Sequence, residues 1–244
     1  INNKLKELSS LVSRAIQNIE RTGTQGPAHT VSGKFEQASK WLSNLNFDDK
    51  GVGQQAIRAI VQDSRRIGQT CSPAQREDIY DLCNEVEQLS RQLEELCRRG
   101  QANSPQAQEI SRKLNKKLQE LKRLIERALI TRVVDDFIDI YSPLKQFTEA
   151  VYAPEGSHNR EINFQEKAHN LNQFSQRISQ TARNVATVLA PNKRLAEGII
   201  NLAHDVESIT PQLVSAGRIR FTHQDNKSAD EHFENLKAQY QENI

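Results

Sequence analysis

From Ile79 the apolar residues Leu82, Val86, Leu89, Leu93 and Leu96 follow at alternating steps of three and four, which on a helix places them in one continuous stripe. A stripe of that length has to be hidden against other helices, and its ends are marked. Ser72-Pro73-Ala74-Gln75 offers a capping serine, a proline suited to the first helical position and a glutamine three residues after the serine that can close a capping box. Arg98-Arg99-Gly100 puts two cations at the negative end of the helix dipole and then a glycine stop. Only 10 of the 244 residues are glycine and only 5% are aromatic, which favours helices joined by short turns. The fold class expected is all-α.

The remaining sequence repeats the pattern. Leu5, Leu8, Val12, Ala15 and Ile19 form one stripe and Val31, Phe35, Ala38, Leu42 and Leu45 another, out of phase, with Gly23, Gly26 and Pro27 between them, so a long first helix with a kink or break is expected. Val52, Ala56, Ile60, Ser64 and Ile67 mark a helix near 52–70, the capped stripe one near 74–99, and Ser104-Pro105 opens one near 105–133 on Ile110, Leu114, Leu118, Leu121, Ile125 and Ala128. Phe137, Ile140 or Tyr141, Leu144, Phe147 and Val151 share the next face, with a fresh start or kink at Ser142-Pro143. Phe164, Ala168, Leu171, Phe174, Ile178, Ala182, Val185 and Leu189 form a long helix ended by Ala190-Pro191. Leu195, Ile199, Leu202, Val206, Ile209, Leu213 and Ala216 form another, kinked at Pro211, and Ala229, Phe233, Leu236 and Tyr240 a last one. Long amphipathic helices with short connections pack antiparallel. The partition expected is two antiparallel four-helix bundles in tandem, residues 1–133 and 134–244.

One stretch invites a chemical reading. WLSNLNFDDKGVGQQAI, Trp41 to Ile57, combines the only tryptophan, adjacent carboxylates and Gly-x-Gly. A phosphate loop needs Lys-Ser or Lys-Thr after its second glycine, whereas Gly53 is followed by Gln54 and Gln55. A calcium loop needs oxygen ligands at alternating positions over about 12 residues, which Asp48-Asp49-Lys50-Gly51 does not supply. A structural role explains the same residues: Asp48 and Asp49 cap a helix, Gly51 and Gly53 turn the chain, and Trp41 anchors the core. His29, His158, His169, His204, His223 and His232 have no metal-motif spacing, and no nucleophile and base can be paired, so neither cofactor, metal nor enzymatic activity is expected. Cys83 and Cys97, two heptads apart, read as buried thiols. Lys113, Lys116, Lys117, Lys122, Arg123 and Arg127 could meet phosphates of nucleic acid or lipid headgroups, but Glu109, Glu120 and Glu126 are interleaved and no aromatic is placed for base stacking. A solvated face is the simpler reading, with an acidic-lipid or phosphate-binding module as the alternative.

The chain carries no methionine and reads as a segment of something longer. No apolar run approaches the roughly 18 residues that span a bilayer, and the three cysteines, Cys71, Cys83 and Cys97, are odd in number with two of them inside a helical pattern, which points to a reducing compartment, so a soluble cytoplasmic protein is expected. Residues 1–133 hold 22 Lys and Arg against 16 Asp and Glu, and the rest 11 against 15, making one half net +6 and the other net −4.

With the helices placed, the wording of the turns gains meaning. FEQASKWLSNLNFDDKGVGQQAIRAIV, LEELCRRGQANSPQAQEISRKL, YSPLKQF, NREINFQEKAHNLNQFSQ, ITPQLVSAGRIRF and DEHFENLKAQY resemble the vinculin family across nearly the entire chain. The α-catenins are similar in architecture but match these turns less closely. The resemblance implies the middle of a head region, the second bundle of a second repeat and the first of a third, in a cytoplasmic, non-enzymatic scaffold at cell–cell or cell–matrix adhesions. It implies the remaining head repeats and tail as partners, with actin, talin and α-catenin reached indirectly through other domains. It implies no nucleic-acid partner, no direct membrane insertion and no cofactor, and a role as a rigid spacer supporting an autoinhibited head. None of the family's ligand motifs maps onto this segment, and Gly23 to Pro27 interrupt a helix that the family tends to keep long. If Trp41 is a core anchor, Trp41→Ala costs on the order of 3–5 kcal/mol, read as a lowered midpoint in thermal melts; an unchanged midpoint places Trp41 on the surface.

Overall fold

The structure is a computed structural model that describes Ala28, residues 30–190 and residues 193–244. The stripe from Leu5 to Ile19, the interruption from Gly23 to Pro27, His29 and the helix stop at Pro191 lie outside the described residues. Within them the chain is all-helical: α1 (Val31–Ser43), α2 (Val52–Gln69), α3 (Pro73–Arg98), α4 (Pro105–Phe137), α5 (Ser142–Val151), α6 (Arg160–Val188), α7 (Lys193–Thr222) and α8 (Lys227–Asn243). No helix among them is long and apolar enough to cross a membrane. The chain divides into two compact units, up to Ile125 and from Glu126 onward, so the division falls inside α4 where 133/134 was expected. The helix does not end near Val133 because nothing there breaks it; the next proline, Pro143, forbids helix only as far back as Asp139, whose carbonyl its ring would strike.

In the first unit, side-chain pairs fix the helix directions. Lys34 meets Asp63 across α1 and α2, and Arg58 and Arg65 meet Glu94 and Glu87 across α2 and α3, residue numbers falling on one helix as they rise on the other. Ser111 Oγ donates to Leu42 O at 2.6 Å, Ser39 Oγ donates to Asn115 Oδ1 at 2.9 Å, and Lys122 lies over the Phe35 ring, so α4 runs antiparallel to α1. Lys117 reaches Glu85 of α3 at 2.8 Å. The four helices thus close a ring around Phe35, Ile57, Ile60, Leu93, Leu114, Leu118 and Leu121. The α3 stripe is turned by one residue from its expected position. Ile79, Cys83, Val86, Ser90 and Leu93 are buried while Leu82 and Leu89 sit half-exposed at its edge, because small side chains let α3 approach α2: Cys83 Sγ lies 3.8 Å from Val61 O. Leu45 falls beyond the end of α1, where Asn44 N–H closes onto Trp41 O.

The second unit builds its first lane from two pieces. Asp136, near the end of α4, contacts Arg177 and Thr181 of α6, while Phe147 of α5 packs 5.6 Å from the Phe164 ring. The α4 tail and α5 therefore share one line antiparallel to α6, with a break between Phe137 and Ser142. Phe137 belongs to the first piece and is partly exposed, and Tyr141 is exposed, so neither joins the buried face of Leu144, Phe147 and Val151. α7 returns antiparallel to α6 through Arg218–Glu161 and Arg183–Glu207 pairs, and carries on through Pro211. α8 fills the fourth side, tied to α5 by Asp230 and Glu234, which meet the Tyr152 hydroxyl, and by Phe233.

Tyr240 of α8 is fully buried, its hydroxyl 2.8 Å from Ser175 Oγ, and burial pushes its phenol from the ordinary 10.0 up to about 12. The unfolded chain releases this proton near pH 10 and the folded chain holds it. That contribution is therefore intact below pH 10 and lost between pH 10 and 12, at up to about 1.4 kcal/mol per pH unit. Tyr240→Phe is expected to remove this part of the alkaline loss while costing about 1 kcal/mol near neutrality, since Ser175 is left without its partner. Urea denaturation of both proteins in neutral and alkaline buffer checks it, and equal alkaline slopes would contradict it.

Candidate functional site

The corner between α1 and α2 gathers most of the residues that invited a chemical reading. Trp41 is only 6% exposed and closes the last turn of α1 against the α2 start. The helix begins after Gly51, which takes a left-handed conformation at φ 80° directly after Lys50 at φ 55°. Gly51 supplies no side chain to cap with, so the cap comes from outside the helix: Asp49 Oδ2 accepts from Gly53 N at 2.7 Å and Oδ1 from Gly51 N at 2.9 Å. Asp48 does not reach the helix; its Oδ1 accepts from Lys50 N at 3.0 Å and shapes the turn. Gly53 is needed for space, because a β-carbon there would run into Trp41 and the Asp49 carboxylate. With both carboxylate oxygens taken by backbone N–H groups of its own turn, Asp49 is committed to the fold.

The other junctions are equally local. Ser72 Oγ accepts from Gln75 N while Gln75 Oε1 accepts from Ser72 N, with Pro73 at the first position of α3. Ser104 Oγ accepts from Ala107 N at 3.1 Å and Pro105 opens α4. At the end of α3, Gln101 N–H returns to Leu96 O, and Arg98 and Arg99 both pair with Glu95.

The six cations of α4 do not gather into one surface. Lys117 is held between Glu85 and Glu120, and those hydrogen bonds, Glu85 foremost, raise its pKa. Lys113 lies 3.6 Å from Glu109, and Lys122 turns toward Phe35 on the α1 side, opposite the α3 side that Lys117 faces. Lys116, Arg123 and Arg127 are exposed. The premise of the phosphate-binding alternative, a continuous unpaired basic face, is not what the helix presents.

Among the described residues no group of three or more His, Cys, Asp or Glu is placed to hold a metal ion. Cys83 is fully buried and burial pushes its thiol up to about 11; Cys71 is buried and Cys97 is half-exposed, with burial again raising its pKa. A thiol held protonated is a poor nucleophile.

Two polar centres escape a reading by apolar periodicity. Asp136, 3% exposed, accepts a hydrogen bond from Thr181 Oγ1 at 2.5 Å and lies 2.9 Å from both Arg132 Nε and Arg177 Nε. It does leave a trace in the sequence: it stands seven residues after the buried Leu129, on the apolar stripe, four after an arginine. Arg160 donates to Ala153 O at 2.8 Å and to Phe221 O at 2.6 Å, and its guanidinium stacks 3.6 Å from the Phe221 ring centroid, pinning the loop between α5 and α6 to the end of α7. No periodicity marks it, since its partners are backbone carbonyls, which any residue carries.

What these sites define is a helical-bundle protein whose particular residues are spent on caps, corners and interhelical pairs. The chain belongs to the vinculin family: the profile described as "Vinculin family" matches residues 4–244. Vinculin of Drosophila melanogaster is 44% identical over 245 residues, covering 100% of this chain and 25% of its own length. Vinculin of Caenorhabditis elegans is 43% identical, covering 95% and 21%, and that of Homo sapiens 35% identical, covering 98% and 22%. The chain thus spans about a quarter of the length of the relatives it matches. A solved vinculin homologue from a sponge superposes with a TM-score of 0.75 at 26% identity over 89% of this chain and 27% of that one. The M domain of HMP-1 superposes at 0.66 with 19% identity, over 86% of this chain and 60% of that one, a likeness of fold.

Two substitutions probe the corner. Alanine is the better helix former by about 1 kcal/mol, but overpacking against Trp41 and Asp49 costs about 1–3 kcal/mol, so Gly53→Ala is expected to destabilise the first unit by about 1 kcal/mol net. Asp49→Ala is expected to cost about 1 kcal/mol through the lost cap. Urea titration followed by the fluorescence of Trp41, the sole tryptophan, reads both, and a more stable Gly53→Ala would refute the close approach.

Proposed function

We propose that this segment is a non-enzymatic, rigid spacer within a vinculin-like adhesion scaffold, setting the placement of partner-binding repeats elsewhere in a longer chain and supporting the closed form of its head. The observation that carries this reading is α4, a single 33-residue helix, Pro105–Phe137, that contributes Leu114, Leu118, Leu121 and Ile125 to the first unit and Ala128, Leu129 and Asp136 to the second. An uninterrupted helix resists bending through its ladder of backbone hydrogen bonds, which a flexible linker lacks. Family membership supports the adhesion context, and the sponge homologue is described as revealing vertebrate-like cell adhesions. Actin, talin and α-catenin are partners of the whole protein in this reading, engaged outside the segment, at cytoplasmic adhesion sites.

Two glycines in the middle of α4 test the spacer. In the full-length protein with one fluorescent label in each unit, Glu126→Gly with Arg127→Gly is expected to broaden the distribution of label distances while lowering stability by only about 2 kcal/mol. An unchanged distribution sinks the spacer role. The adhesion context is read separately: the tagged full-length protein concentrates at cell contacts, and a diffuse cytosolic distribution refutes it.

A further inference from the structure

Four dipeptides of the chain set a hydroxyl directly before proline: Ser72-Pro73, Ser104-Pro105, Ser142-Pro143 and Thr210-Pro211. Three of these hydroxyls are committed to the fold. Ser72 Oγ caps α3 inside a closed capping box, Ser104 Oγ caps α4, and Thr210, 2% exposed, donates to Val206 O within α7. Ser142 is placed differently. It is half-exposed and opens α5 directly after the break, in which Ile138 is 81% and Tyr141 73% exposed. Its hydroxyl and its backbone N–H both donate to Asp139, the N–H to Oδ1 at 2.9 Å, and those bonds, the hydroxyl's foremost, hold the Asp139 carboxyl below its ordinary value.

The start of α5 is also easily opened. With ten residues α5 is the shortest of the described helices, no side chain caps it, and Pro143 has no N–H to give. The bond from Lys145 N to Tyr141 O, at 3.0 Å, closes its first turn. Such a turn frays, and of the residues from Ile138 to Lys145 only Leu144 is buried and has to lift when the chain is drawn out.

The residues after the hydroxyl say which kind of enzyme could use it. A cleft that gives the residue after its target no acceptor strands the N–H of every residue except proline, and protein kinases select Ser-Pro in this way. An acidic group farther along such a cleft favours a cation three residues after the target. Lys145 stands there, exposed and without an ion-pair partner among the described residues, whereas Ser72 and Ser104 are followed at that spacing by Gln75 and Ala107.

We propose that Ser142 is the phosphorylation site of a proline-directed Ser/Thr protein kinase that reads Ser142-Pro143-Leu144-Lys145, and that the phosphate releases Asp139 from the turn. In the transfer Ser142 Oγ forms a bond to the γ-phosphorus of ATP, the bond from that phosphorus to the β–γ bridging oxygen breaks, and ADP leaves. The hydroxyl proton passes to the kinase's base. A donor to Asp139 thereby becomes a group of charge about −2 beside a carboxylate, and the two repel. Lys145, one turn on, is the cation nearest in sequence to meet the phosphate. Acceptance of phosphate concerns one turn inside one unit and is independent of the spacer reading.

The full-length protein, incubated with a purified cyclin-dependent protein kinase and Mg-ATP, provides the test, with each phosphorylated residue located by tandem mass spectrometry. Phosphate is expected on Ser142 at least about 10-fold faster than on Ser72 or Ser104. Ser142→Ala abolishes that signal, and Lys145→Ala, at an exposed position, slows it about 5-fold. Slow hydrogen exchange at Leu171 and Phe174 reports that each variant keeps its second unit folded. After phosphorylation the Ser142 amide is expected to exchange about 10-fold faster while those of Phe147 and Val151 hold. Asp139→Asn, which keeps an acceptor without the charge, is expected to remove most of that change. No phosphate on Ser142, a rate no greater than at Ser72 and Ser104, or a rate indifferent to Lys145→Ala overturns the site. A Ser142 amide unmoved by the phosphate, or moved equally in Asp139→Asn, overturns the release of Asp139.

Discussion

A bundle helix stays folded because its neighbours cover its apolar stripe along its whole length, and the length over which that cover exists is the constraint on which the rest of this structure depends. Among the described helices of the first unit, each is covered on two sides. α1 touches both α2 and α4, α3 touches both α2 and α4, and Phe35, Ile57, Ile60, Leu93, Leu114, Leu118 and Leu121 are buried accordingly. In the second unit the same requirement explains a broken lane: Pro143 forbids a continuous helix from α4 into α5, so the chain ends one helix at Phe137 and starts another at Ser142 on the same line. The aromatic contacts of Phe147 with Phe164 and Phe233 then tie the second piece to α6 and α8.

Charge plays a smaller part than its uneven distribution along the chain suggests. Among the described residues, several cations of the basic half are matched inside their own unit, Lys34 by Asp63, Arg58 by Glu94, Arg65 by Glu87 and Lys117 by Glu85. Lys34–Asp63 is sheltered, but the other three pairs are exposed enough that each is worth less than about 1 kcal/mol, too little to hold the helices together but enough to disfavour a slipped register. Asp136 is different in kind. A carboxylate at 3% exposure is tolerated only because two arginines and a threonine meet it, and both arginines keep part of their surface in water. Its effect is positional: it locks the tail of α4 to α6 just before the chain breaks.

What was legible in the sequence follows from how local each cause is. The capping box at Ser72 and Gln75, the Ser104 cap and the prolines that follow them act over three or four residues and can be read directly. The caps of the α2 corner are legible in type but not in assignment, because whether Asp48 or Asp49 reaches Gly53 depends on the left-handed turn at Lys50 and Gly51. The one-residue rotation of α3 is not legible. Leucine is the more apolar residue, so periodicity draws the stripe through Leu82 and Leu89, whereas close approach to α2 favours the smaller Cys83 and Ser90. Arg160 is invisible for a related reason: its partners are carbonyls, which carry no sequence signature.

The polar residues of α6 connect these points. Four of them, Ser175, Ser179, Thr181 and Asn184, are buried along one helix, and their fates divide by what stands opposite. Ser175 meets Tyr240 of α8 and Thr181 meets Asp136 of α4, so both are satisfied where a neighbouring helix is present. Ser179 Oγ and Asn184 Nδ2 find no partner. An unsatisfied buried hydroxyl or amide costs about 1–3 kcal/mol. One helix thus carries both satisfied and unsatisfied polar groups, and which is which follows the side chain that stands opposite each.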